Sequence, residues 1–247
     1  NEMSWLQRIL HSTPPGMHNV IMMHIPPGYD PFSTQVIHGL LPWPFLRAND
    51  NGALIRQLQA RGNRVAYVIA AHTHRFGFRF AGNVAMVVLG SLSPIFGNNP
   101  AFYVLHLSGS GSLRDIDTYA FNESKAAWVR AGSFDRSWGI GQIDADALAA
   151  LHARLGRSPS LRQAWGAQAN GWPPTTVEAA GPWGTHWWRA QWCAQSLSSP
   201  FAQCAGIARR VTILRLFVVS AAIIAVAVLV IVSARLLCRR VPALPRR

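Results

Sequence analysis

The chain has 247 residues, half of them apolar, 10% aromatic and only 13% charged, a balance that excludes a disordered or fibrous polypeptide and permits a sizeable core. The formal charge is +13, yet residues 209–247 carry eight arginines and no acid, leaving 15 basic against 10 acidic side chains and a net +5 over residues 1–208. With the excess gathered at one end, no nucleic-acid partner is expected.

The chain opens at Asn1 without a charged-then-apolar leader, and Trp5, Leu6, Ile9 and Leu10 mark one face of an amphipathic helix over 3–11. No capping residue precedes that helix, so the start reads as the interior of a domain. A buried strand is expected over 19–23, ending at His24 and followed by the Pro-rich loop IPPGYDP. Leu54, Ile55 and Leu58 define a second helix over about 50–61, stopped by Gly62. A short apolar strand over 65–70 then runs into Ala71-His72-Thr73-His74. Alternating Phe76, Phe78 and Phe80, then 84–89 and 102–107, read as further strands. Helix then strand, twice, implies an α/β arrangement with functional residues at strand C-termini.

Beyond residue 109 the pattern changes. Asp115, Tyr119 and Phe121 suggest one more strand pair, and 144–155 is a clear helix. Tryptophans 183, 187, 188 and 192 fall near helical spacing, either as an interfacial belt or, more simply, as an aromatic face packed on the main domain. Residues 216–234 carry no charge over a length that matches a bilayer core, so a transmembrane helix is expected there. Five arginines after it against three before place the short tail in the cytoplasm and residues 1–208 outside or in a lumen. Cys193 and Cys204, eleven apart, pair as a disulfide in that setting or stay as two buried thiols. Asn122-Glu123-Ser124 is a glycosylation sequon at Asn122.

His24 after one strand and His72 and His74 after another form the sharpest constellation. In extended conformation an HxH pair points both rings to one face, and neutral imidazole suits Zn, Fe, Ni or Cu. Around these residues the chain resembles the calcineurin-like metallophosphoesterases, in the acid sphingomyelinase-like and endopolyphosphatase branch. The resemblance is carried by WLQRIL (5–10), NVIMMHIPPGYD (19–30), AAHTHRFGFRF (70–80), SLSPIFGNNPAFYVLHL (91–107), LRDIDTYAFN (113–122) and the cysteines at 193 and 204. It implies a two-sheet sandwich flanked by helices, of which this chain would hold the C-terminal half over 1–125. A helical appendage would follow over 126–208, a membrane helix with flanks over 209–238 and a basic tail over 239–247. It also implies two divalent ions, Zn being the favoured identity, with His24 and His72 on one and His74 on the other. The activity implied is phosphodiester hydrolysis on a sphingolipid head group, a nucleotide or polyphosphate.

The family's Asp-x-His, Gly-Asp and Gly-Asn-His-Asp/Glu motifs do not occur in this sequence. The catalytic acid and bridging carboxylate therefore have no counterpart here, and three imidazoles alone cannot complete a two-ion site. The expected account is the C-terminal half of a longer binuclear phosphodiesterase, inactive by itself. A non-catalytic membrane protein that keeps part of the fold is the alternative. His38, Tyr29 and Arg75 are the substrate-contact candidates, and His106 reads as structural.

Overall fold

The computed structural model describes residues 2–34, 41–185 and 187–240. His38 lies outside the described residues. Helix α1 (Glu2–His11) leads to strand β1 (Asn19–Met22), and the one-turn helix α2 (Pro31–Ser33) and helix α3 (Ala48–Gln59) lead to β2 (Val65–Ala70). Strands β3 (Gly77–Ala81) and β4 (Val84–Val88) form a hairpin. The first sheet has the order β1-β2-β4-β3, in which β1, β2 and β4 run parallel and β3 antiparallel. Strand β4 is buried along its whole length, which explains its unbroken apolar sequence. Val84, Met86 and Val88 face Leu10 of α1 and Leu54 and Leu58 of α3, while Ala85 and Val87 face the opposite core.

That opposite core joins both sheets and the later helices. Strands β5 (Ala101–Leu107), β6 (Leu113–Asn122) and β7 (Ala127–Ser133) make a three-stranded antiparallel sheet. Leu113 and Ile116 from it share one cluster with Phe76, Phe78 and Val87. Helices α4 (Phe134–Trp138), α5 (Ala145–Arg157) and α6 (Pro159–Ala169) add Phe134, Trp138, Leu148, Leu151, Leu155 and Trp165 to the same cluster. Helix α5 starts at Asp144, whose carboxylate accepts from the Ala147 N–H at 2.9 Å, the N-cap bond that the first turn of a helix requires. Trp165 has no exposed surface, and the Trp138 indole N–H donates to the Gln168 side-chain oxygen at 2.6 Å. Strand β7 extends the second sheet past residue 125, and α5 and α6 share the core of that sheet.

Two expectations are corrected here. Strand β1 is an edge strand rather than a buried one, with Met22 76% exposed; an apolar run reports strand tendency but not position in the sheet. The second correction concerns the anchor. Helix α9 (Ile207–Arg240) is long, but among the described residues no helix is long and apolar enough to cross a membrane. The single-pass anchor over 209–238 is thereby overturned, together with the lumenal and cytoplasmic placement built on it.

The tryptophan-rich segment packs on the main domain. Trp183 is buried against Trp165, and Trp188 and Trp192 lie against the same cluster. Helices α7 (Trp188–Cys193) and α8 (Phe201–Cys204) are joined by a disulfide between Cys193 and Cys204, with a Cα separation of 5.8 Å. Closing a loop of this length removes unfolded-state entropy worth about 2–3 kcal/mol. Replacing both cysteines by serine should lower unfolding free energy by that amount in urea titrations, and an unchanged midpoint would show that the loop adds nothing. On the second sheet, Asp117 accepts from Arg130 and pairs with His106 at 3.1 Å. Burial pushes the Asp117 carboxyl up, but the hydrogen bonds and charges of Arg130 and His106 outweigh it and hold the group below its ordinary value. A lowered folded-state pKa means this stabilisation is complete above the unfolded value, about 3.9, and is lost as pH falls through the folded one. The stability gap between the native chain and Asp117→Asn should therefore shrink between about pH 5 and pH 2. A gap that stays constant over that range would rule the linkage out.

Candidate metal centre

Parallel pairing brings the two histidine segments together. Met22 pairs with Ile69, the Met23 N–H donates to Ile69 O at 3.0 Å, and the Ala71 N–H donates to His24 O at 3.0 Å. Both chains then leave the sheet at the same end, which is where side chains of a parallel sheet can converge. There His72 Nδ1 lies 3.3 Å from His24 Nε2, and the ring planes meet at 82°. Both side chains are exposed.

The HxH segment is not extended. His72 and His74 take left-handed backbone conformations, with φ of 71° and 57°. Such a conformation costs an L-residue about 1–2 kcal/mol and persists where the surroundings enforce it. The two rings take different neighbours. The His72 ring meets His24 and the edge of Phe45, centroids 5.6 Å apart, whereas the His74 ring packs against Phe96 at 4.9 Å. His74 Nδ1 is buried without a hydrogen-bond partner.

His72 and His74 line a cavity of about 370 Å³, with Asp30, Arg75, Arg79 and the aromatic rings of Phe32, Phe45 and Phe96 around them. Among the described lining residues two guanidinium groups face one carboxylate, so the cavity favours an anion. Burial lowers the pKa of His72, the charges of His24 and His74 lower it further, and Asp30 acts against them. His72 is accordingly neutral at pH 7, the form that ligates metals.

The loop after His24 is built from both sides. The Gly28 N–H donates to Asn51 Oδ1 at 2.5 Å, the Phe45 N–H to Gly28 O at 3.0 Å and the Asp30 N–H to Trp43 O at 2.8 Å. Asp30 caps α2, accepting from the Phe32 and Ser33 N–H groups at 2.9 and 3.2 Å and from the Ser33 hydroxyl. Arg79 is 4% exposed and donates to Pro27 O at 3.0 Å and Tyr29 O at 3.1 Å.

The substrate-contact candidates fall differently. Arg75 lines the cavity, but its Nε donates to Asn170 Oδ1 at 2.6 Å and its Nη2 to Phe96 O at 2.9 Å, tying the mouth loop to the end of α6. The Tyr29 ring stacks on Phe201 at 4.6 Å and lines a separate cavity of about 140 Å³. Asn122 caps a short turn after β6, its side-chain oxygen accepting from the Ser124 hydroxyl at 2.8 Å and the Lys125 N–H at 3.0 Å.

Sequence reasoning missed Asp30, Phe45 and Arg79. The Asp-Pro step at 30–31 is a helix-start signal that marks Asp30 as a cap. Arg79 left no such trace, because alternation with Phe76, Phe78 and Phe80 assigns it to the opposite, solvent-facing side.

Two ligand atoms bound at about 2.0–2.1 Å to a tetrahedral ion lie about 3.3–3.4 Å apart. The His24–His72 spacing fits that geometry and is long for a hydrogen bond. Among the described residues no group of three His, Cys, Asp or Glu side chains is arranged around one metal position. The pair therefore fits one ion as half a ligand set, and His74, turned to Phe96, does not join it.

The left-handed turn makes a stability prediction. His72→Gly should be more stable than His72→Ala by about 1 kcal/mol in thermal or urea unfolding, the reverse of the usual order. A glycine variant less stable than the alanine variant would contradict the strained turn. No family model matches the chain, and no curated protein matches it either.

Proposed function

We propose that this chain supplies a histidine-lined metal and phosphate site for phosphodiester hydrolysis, of the kind found in the calcineurin-like metallophosphoesterases that its motifs resemble. The observation that carries this reading is the His24–His72 pair, set at ligand-to-ligand spacing where His72 borders a cavity with two arginines and one carboxylate. His24 and His72 would hold one divalent ion, Zn in the first instance. The resemblance implies a second ion, for which His74 is the candidate ligand. A bound divalent ion would polarise a phosphoryl oxygen and lower the pKa of a coordinated water.

The chain's own residues contribute binding and field. Arg75 and Arg79 keep the cavity wall cationic, which favours a phosphate anion beside the histidines. Phe45 and Phe96 hold the His72 and His74 rings edge-on and limit their rotation. Asp30 is the carboxylate nearest this chemistry among the cavity-lining residues, but its oxygens are committed to the α2 cap. Turnover also needs a bridging carboxylate and a general acid, and the described residues offer neither beside the pair. The proposed contribution of residues 19–80 is thus ion and phosphate binding, with no turnover expected from it alone. A sphingolipid head group, a nucleotide and polyphosphate remain the candidate substrates. The engagement of Asp30 and the turned ring of His74 favour a second reading, in which the same fold serves interaction without catalysis.

Zinc titration by calorimetry separates these readings. The chain should bind one Zn2+, and His24→Ala or His72→Ala should weaken binding by about 100-fold or more, with a smaller effect from His74→Ala. A chain that binds no zinc, or binds it equally well without His72, would remove the metal site. A panel of sphingomyelin, bis-nitrophenyl phosphate, ATP and polyphosphate then reports turnover. Hydrolysis by the chain that His72→Ala abolishes would favour the catalytic reading over the interaction reading.

A further inference from the structure

Arg79 is a buried cation whose contacts reach beyond the cavity wall that it helps to charge. It lies on β3, at the opposite edge of the first sheet from β1. Its guanidinium nevertheless reaches the loop that follows β1, donating to Pro27 O at 3.0 Å and Tyr29 O at 3.1 Å. The same group sits over the Phe45 ring, 5.0 Å from its centroid, and the Phe45 ring in turn meets the His72 ring at 5.6 Å and 79°. One side chain thus touches the loop leaving His24 and the ring that flanks His72.

The environment of Arg79 shows that its place is enforced. Among the described residues it makes no ion pair, and burial pulls its pKa down to about 10, with the charge of Asp30 acting against that shift. The group stays charged at neutral pH and is held by carbonyl oxygens and an aromatic face, a costly arrangement for a cation unless its donors are used. Gly28, between the two carbonyls that Arg79 grips, has φ of +104°, and a side chain there would collide with the Arg79 guanidinium and with Leu197. The loop backbone therefore lies directly against the guanidinium, so a movement of either displaces the other.

We infer that Arg79 is the positioning residue of the histidine pair, its fork fixing the loop after His24 while its face fixes Phe45 against His72. Lysine cannot replace it, because an ammonium has no planar fork with which to grip two carbonyls and cover a ring. The inference builds on the metal reading of the pair, but it concerns the approach of the two rings, which is measurable without metal.

The test uses the full chain and the variants Arg79→Lys, Arg79→Met and Phe45→Leu, each checked for native circular dichroism. In metal-free protein, the approach of the His24 and His72 rings is read as a cross-ring nuclear Overhauser effect. The native chain should show this effect, and in Arg79→Met and Phe45→Leu it should vanish while the fold is kept. Arg79→Lys should keep the fold but not the cross-ring effect. With Zn2+ added, the same variants should bind about tenfold or more weakly, and with Co2+ their visible spectra should differ from that of the native chain. Phe45→Leu keeps the result decisive should Arg79→Met fail to fold. A cross-ring effect that persists in folded Arg79→Lys and in Phe45→Leu would overturn the inference. If the effect vanishes in those variants and the native chain binds no zinc, Arg79 stands as the positioning residue and the metal reading is rejected.

Discussion

The parallel pairing of β1 with β2 is the constraint on which the rest depends. His24 and His72 are separated by 48 positions in the sequence, and nothing local brings them together. Two adjacent parallel strands end on the same side of a sheet, so residues just past their C-termini become neighbours. The register that sets Met22 beside Ile69 places His24 O against the Ala71 N–H, and the rings follow. A slip of one residue would turn the side chains of β1 to the other face and separate the pair.

That pairing is held from both faces of the sheet. Leu10 of α1 and Leu54 and Leu58 of α3 cover one side, and a second cluster rich in aromatic rings around Trp165 covers the other. The enforced surroundings matter because the site is strained. Two left-handed histidines in one turn and a buried guanidinium are each unfavourable alone, and they persist because a dense, fully buried core supports the strands from which they emerge. The disulfide between α7 and α8 acts on the same region, since Tyr29, whose carbonyl accepts from Arg79, stacks on Phe201.

The electrostatic character of the site follows from burial more than from composition. The large positive charge of the chain lies mostly beyond residue 208 and has no bearing on the cavity. Among the described lining residues three charged side chains decide the field, and one of them, Asp30, is occupied with a helix cap. Cationic walls beside the histidines suit an anionic ligand. The same walls offer little for proton transfer.

Much of the local structure was legible in the sequence. The strand at 65–70 and the helix expected over 144–155 emerged where apolar periodicity marked them, because such signals depend on neighbours within one turn or one pleat. The pairing of Cys193 with Cys204 was one of two open outcomes, and the tryptophans near them belong to the core. The motifs likewise singled out His24, His72 and His74. Which strand forms an edge, which arginine is buried and which histidines meet were settled only by tertiary structure. Arg79 alternates with phenylalanines along β3 and carries no local sign of burial, yet the loop after β1 folds over it. An uninterrupted apolar stretch suggested a membrane helix over 216–234, but among the described residues no helix is long and apolar enough to cross a membrane. Extended HxH geometry assigned both rings to one face, yet the left-handed turn sends His74 to Phe96 and leaves His72 with His24. Local periodicity determines what each segment tends to form; contacts between segments far apart in the chain determine what each side chain faces, and no spacing along the chain encodes them.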